Sequence, residues 1–157
     1  MRLILSFSRA LALCLFAAVA NAQATLTTPS QRVADWAGRL LQSAAEFQVM
    51  SSVLTDRDAT EATRLSTAAI GTSHHCIAVS ELLAVYAMVR DPRNRAEVAA
   101  FVRTRIAGHI EGMQAEGMVV TLRVYAPGSD GIKRAAANLK RLIDSTLVAI
   151  ASESPTR

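Results

Sequence analysis

The sequence predicts an all-α protein, an up-and-down bundle of four amphipathic helices, or five if Gly71 ends one of them, behind a signal peptide that is removed. Three observations predict it. Apolar residues recur at spacings of three and four over long stretches, most stretches open on a helix-start pattern, and short polar turns separate them.

Residues 1–22 come first and stand outside the fold. Arg2 and Arg9 supply a positive n-region, Leu11 to Ala20 is an uninterrupted apolar run, and Ala20-Asn21-Ala22 fits an A-x-A cleavage site. The run is far shorter than the ~20 residues that cross a bilayer. Cys14 follows Leu13 in mid-run, which does not suit a lipid anchor. Cleavage after Ala22 would leave a short extension (23–27), a single helical domain (28–151) and a frayed tail (152–157). It would send the mature chain to the periplasm or outside the cell with no stable membrane anchor.

Removing the segment changes two totals. Net charge falls from +4 to 4 − 2 = +2, because Arg2 and Arg9 leave with no acid. An Ala- and Arg-rich bias fits a GC-rich bacterial genome, and without a clustered basic patch it does not predict a nucleic-acid partner. Of two cysteines only Cys76 remains, so no internal disulfide can form and the core alone must hold the domain. Cys76 itself reads as a small buried hydrophobe.

The first helix opens at Thr28-Pro29-Ser30-Gln31, a capping box with proline at the first helical position. Val33, Trp36, Ala37, Leu40, Ala44 and Phe47 give its apolar stripe to about Met50 or Leu54. For the second, Asp58 with Glu61 offers the next capping pattern. Gly71-Thr72-Ser73 then leaves two outcomes: a C-cap at Gly71 with a restart at Ser73, or one helix running through at a cost of ~1 kcal/mol. Cys76, Val79, Leu82, Leu83, Tyr86 and Val89 continue the apolar face either way.

Asp91-Pro92-Arg93-Asn94 breaks that helix, with Asn94 and Glu97 as the expected cap of the third. Val98, Phe101, Val102, Ile106, Ile110 and Met113 make its expected core stripe. Propensity alone would make 118–125 a strand, but no second strand signal exists to pair with it, so helix is preferred. Ala126 to Gly131 is the clearest loop. Ser129 or Asp130 then caps a last helix carrying Ile132, Ala136, Leu139, Ile143, Leu147 and Ile150.

Candidate sites are few. His74, His75 and Cys76 with Glu81 hold metal-ligand chemistry, but adjacent helical residues diverge by about 100°, and His74 and Glu81 lie two turns apart. His109 and Met113, one turn apart, carry the nitrogen and thioether chemistry of haem ligation. One helix cannot supply both axial ligands, so His74, His75 or Met50 would have to help. Haem or a divalent metal is thus a secondary reading, and no cofactor is required. Gly108 and Gly112 form G-x-x-x-G, which lets a second backbone or a flat ligand come close.

No catalytic motif is present. A small helical enzyme working by electrostatics would need Arg39, Arg64, Arg103, Arg105 and Glu81 to converge. Lys133, Arg134, Lys140 and Arg141, with Arg90, Arg93 and Arg95, could meet an acidic partner or an anionic membrane, though as a rule such charges form a solvated face. By elimination the first expectation is a non-catalytic exported protein that binds another protein as an accessory or inhibitor-type factor. A homodimer is an open alternative. A small-ligand, haem or metal-binding bundle comes second, and a motif-poor enzyme third.

Overall fold

In the computed structural model, which describes residues 27–124 and 129–156, the chain is an all-helical bundle of four helices. They are α1 (Pro29–Val53), α2 (Asp56–Met88), α3 (Pro92–Val124) and α4 (Asp130–Glu153). The expected signal segment, Tyr125 and the first half of the expected 126–131 loop lie outside the described residues.

The first start signal works as read. Gln31 N donates to Thr28 Oγ1 at 3.2 Å, Thr28 N donates to Gln31 Oε1 at 2.8 Å, and Pro29 occupies the first turn. Two other starts differ from expectation. α2 begins at Asp56, not after Asp58, because the two-residue turn Leu54-Thr55 reverses the chain with Asp56 at φ 55°, a conformation Asp tolerates. The Asp58 carboxylate is thereby free to accept from Ser129 N at 3.1 Å, linking the start of α2 to that of α4.

α3 is capped by Asp91 in place of Asn94. Pro92 suits the first helical position, so the residue before it becomes the cap, and Asp91 Oδ1 accepts from Arg93 N at 2.9 Å. At α4, Ser129 Oγ accepts from Ile132 N at 3.3 Å, choosing Ser129 of the two expected caps.

Gly71 does not break a helix. It sits within α2 at negative φ, so the bundle has four helices among the described residues. The 118–125 segment stays helical through Val124.

Packing of α1 on α2 follows a seven-residue register. Ser66, Ser73 and Ser80 of α2 donate to the carbonyls of Ala44, Ala37 and Ser30 of α1 at 3.0, 3.1 and 3.0 Å. The residue numbers rise by seven on one helix and fall by seven on the other, as antiparallel helices with a heptad seam require. Small side chains on the seam, including Ala37, Ala44, Ala62 and Ala69, bring the backbones together. Ser73 is therefore a buried seam residue and not a helix start.

Leu40, Phe47, Leu65, Val79, Ile106, Leu139 and Ile143 fill the centre. The C-terminal residues expected to fray are held. Arg32 Nε and Nη2 donate to the two Glu153 oxygens at 2.7 Å each, Arg103 Nη1 donates to Pro155 O at 3.3 Å, and Pro155 is buried.

α2 carries an 18-residue window of mean hydropathy 1.2, apolar enough by length and composition to cross a membrane. In the bundle Leu65, Ala69, Cys76, Val79 and Leu83 take that apolarity inward, and Ile77, Val85 and Met88 remain exposed.

Candidate functional site

The site lies where α2 and α3 meet, on the side of α2 turned away from α1. From Ser66 to His75 is nine residues, or two and a half turns, so the serine seam and His75 occupy opposite faces of the helix.

Two glycines make this interface. A Cβ on Gly71 would come within 2.8 Å of Glu116 Cδ, and a Cβ on Gly112 within 2.6 Å of His75 Cε1 and Nε2. Real carbon contacts do not come so close. Each helix thus gives up a side chain to seat a polar group from the other: Gly71 under Glu116, Gly112 under His75. Of the G-x-x-x-G pair, then, only Gly112 clears a close approach. A Cβ on Gly108 would meet open space.

A polar chain results. The Nδ1 atoms of His75 and His109 are 3.0 Å apart, with rings edge to face at 63° and centroids 5.3 Å apart. His75 Nε2 lies 3.9 Å from Glu116 Oε1, a charge contact when the ring is protonated and too long for a hydrogen bond. Thr72 Oγ1 is 2.7 Å from Glu116 Oε2 and 2.8 Å from Ala68 O, and it shares one proton between them.

Burial, the charge of His75 and the charge of Arg105 together hold the His109 pKa below the usual histidine value of 6.5. Beneath the chain, Cys76 Sγ meets Met113 Sδ at 3.8 Å in the core. Burial first, and the Glu116 charge second, push the Cys76 thiol up to about 12, so at neutral pH it is neither a nucleophile nor a thiolate ligand.

The predicted residues are thus partly brought together. His75 and His109 meet, as the sequence did not foresee. His74 points to solvent, and Glu81 stands apart from it at the rim of a cleft beside His109 and Arg105. Met113 is fully buried against Cys76, whereas His109, one turn away, is part-buried against His75. Among the described residues, no three His, Cys, Asp or Glu groups converge as a metal site needs. The two imidazoles face each other, Glu116 lies at the far nitrogen of His75, and Cys76 is on the core side. Nor do they suit axial haem ligation, since two rings in direct contact leave no slot for a porphyrin.

The arginines do not converge either. Arg39 stacks on Trp36 and Arg105 on Phe101, at 5.1 and 5.3 Å to the ring centroids. Arg64 pairs with Glu61, and Arg103 binds a C-terminal carbonyl.

On either side of the polar chain the α2–α3 surface opens into a cleft. One, of about 430 Å³, has walls of Leu82, Val85, Val98, Phe101 and Val102 and a polar margin of Glu81, Arg105 and His109. The other, of about 250 Å³, is lined by Arg64, Thr67, Ala68, Glu116 and Val119. The polar chain stands between them, on an α2–α3 groove face that runs from Val98 to Val119, ~30 Å at 1.5 Å per residue. Phe101, expected in the core, is instead 54% exposed in the groove wall, because Val102 and Ile106 already fill the core side of that turn.

Two further clefts, of about 530 and 540 Å³, lie at the end where α2 turns into α3. Their polar groups are already engaged: Arg95 with Tyr86 and the Val89 carbonyl, Glu153 with Arg32.

Sequence reasoning missed Glu116, Thr72 and Gly71 as members of this site. The available signal was the pair of helix-interior glycines, one per helix, each facing a polar residue. Comparison with known proteins finds no matching family model, no matching curated protein and no matching solved structure.

Proposed function

We propose that this protein is an exported, non-catalytic accessory factor that binds another protein by seating an amphipathic helix of that partner in the α2–α3 groove. Export rests on the pattern of residues 1–22. The binding reading rests on one observation. Phe101 and Val85, 54% and 56% exposed, line one open cleft with Leu82, Val98 and Val102, and Glu81, Arg105 and His109 stand at its polar margin. A concave, mostly apolar cleft with a few polar groups at its edge is the usual form of a binding site.

The shape selects the occupant. The ~30 Å face between antiparallel helices matches ~20 residues of helix; the larger cleft takes an apolar anchor, and Arg64 and Glu116 at the smaller one meet polar groups. A second copy is a poorer fit, because two concave grooves do not fill each other. The other exposed apolar residues on α1 (Leu41, Val49 and Val53, at intervals of eight and four) make only a sparse stripe, and Val148 stands alone on α4 among the described residues. The separate placement of Arg39, Arg64, Arg103 and Arg105 gives catalysis no common pocket.

A display library of 20-residue amphipathic helices, selected on the mature protein, tests the reading. Selected peptides should carry apolar anchors at helical spacing and lose at least about tenfold in affinity on Phe101→Asp, the scale of one interface anchor. The outcome that contradicts it is selection of peptides insensitive to Phe101→Asp and Val85→Asp. Purification with a stoichiometric small molecule in the cleft, or a dimer that Phe101→Asp dissociates, would replace the partner helix by that occupant.

A further inference from the structure

We propose that the His75–His109 contact is an acid-sensitive latch across the α2–α3 groove: it stays closed while the facing nitrogens share one proton and opens when each carries its own. The inference deepens the groove reading and rests on it for its effect on binding.

The geometry sets the condition. At 3.0 Å, one Nδ1–H donates to the other Nδ1, which must be bare. A neutral pair satisfies this. A singly protonated pair does too, since the imidazolium donates and the neutral ring accepts. A second proton, taken from water, puts hydrogens on both Nδ1 atoms, and two N–H groups cannot point at each other across that gap. The contact then parts, and no covalent bond changes.

The surroundings decide which ring moves. His75 is wedged over Gly112, with Glu116 beside its other nitrogen, and a protonated His75 is held there by the carboxylate. His109 borders the open cleft, so it is the ring that swings out. The charged groups facing the pair are Glu116 and Arg105 from α3 and Glu81 from α2. His74 is on the solvent side of α2, and α1 packs on the opposite face of that helix. Burial, then the charge of His75, then that of Arg105 oppose charge on His109, which sets the opening below the usual histidine value.

Two consequences follow for the groove. Opening places a cation at the margin of the apolar cleft, which weakens an apolar occupant. It also removes a contact between the two helices. With the folded-state pKa of His109 below its unfolded value, the unfolded chain binds more protons. Stability from this group is therefore full above about 6.5 and declines as pH falls through the lower, folded value.

The test uses the full mature chain. Imidazole NMR signals followed from pH 8 to 4 should show the His109 titration, below 6.5, coupled to a change in the His75 signal. His75→Gln should move the His109 titration toward 6.5. Binding of Nile red, a neutral apolar dye, should weaken by about tenfold across the second step, the equivalent of a one-unit difference in pKa between free and occupied groove. In His109→Gln, which keeps hydrogen-bonding groups but does not titrate, dye binding should be flat with pH.

Far-UV circular dichroism over the same range identifies any global unfolding. Independent titrations, each unaffected by removing the other ring, would overturn the latch. Coupled titrations with pH-independent dye binding would overturn its control of the groove. Coupled titrations with no dye bound at any pH would instead remove the groove reading, and with it any regulation of binding.

Discussion

At the scale of the residue, the two glycines of G-x-x-x-G carry opposite consequences that their motif conceals. Gly112 gives its space to the His75 ring, and Gly108 gives its space to nothing. Alanine in a helix interior ordinarily gains ~0.5–1 kcal/mol over glycine. Gly108→Ala should therefore raise unfolding stability by about that amount, read by urea denaturation. Gly112→Ala should lose ~1–3 kcal/mol, the usual cost of overpacking, because its Cβ would stand 2.6 Å from an imidazole held on both sides. Equal gains for the two would show that His75 yields freely. The sequence could name both glycines as places of close approach. It could not tell them apart, because the difference lies on the partner helix.

At the scale of the element, α1 and α2 were legible in outline and their seam was not. Periodicity marks Val33, Leu40, Phe47 and Leu65 as inward, and they are buried. It is silent on Ser66, Ser73 and Ser80, whose polarity suggests solvent or a helix end. Each lies against the backbone of α1, where a small hydroxyl both fits and finds an acceptor. Capping was misplaced for a related reason. Asp58 and Asn94 fit the local pattern, but Asp56 at positive φ and the proline at 92 decide where the turns close. The seam makes a sharp prediction. Ser73→Ala should cost about 1 kcal/mol or less, since the Ala37 carbonyl keeps its helical hydrogen bond. Ser73→Leu should cost well above that, because the close helix spacing has no room for it. Thermal unfolding of the pair checks it. A tolerated leucine would mean that the helices are not held at this distance.

At the scale of the whole molecule, the all-helical bundle followed from composition and period alone, and the site did not. His75 and His109 are 34 residues apart and each has an ordinary single-helix explanation. They meet only because the stagger of α2 on α3 puts His75 over Gly112, one turn from His109. Phe101 was read into the core because its spacing fits the stripe. Its exposure in the same cleft as Val85 appears only when the third dimension shows that Val102 and Ile106 fill the interior first. A stripe wider than the core can use is the sequence trace that the proposed contact surface would leave, and here Val85 and Phe101 carry it into one cleft. The most direct test of that claim is site-specific photo-crosslinking in the native host, with a crosslinking amino acid at Val85 or Phe101 in the groove and at Val148 on the exposed side of α4. The account predicts one discrete product, of the same partner mass from both groove positions and absent from Val148. Equal products from all three positions, or a groove product that matches only random capture, would contradict it.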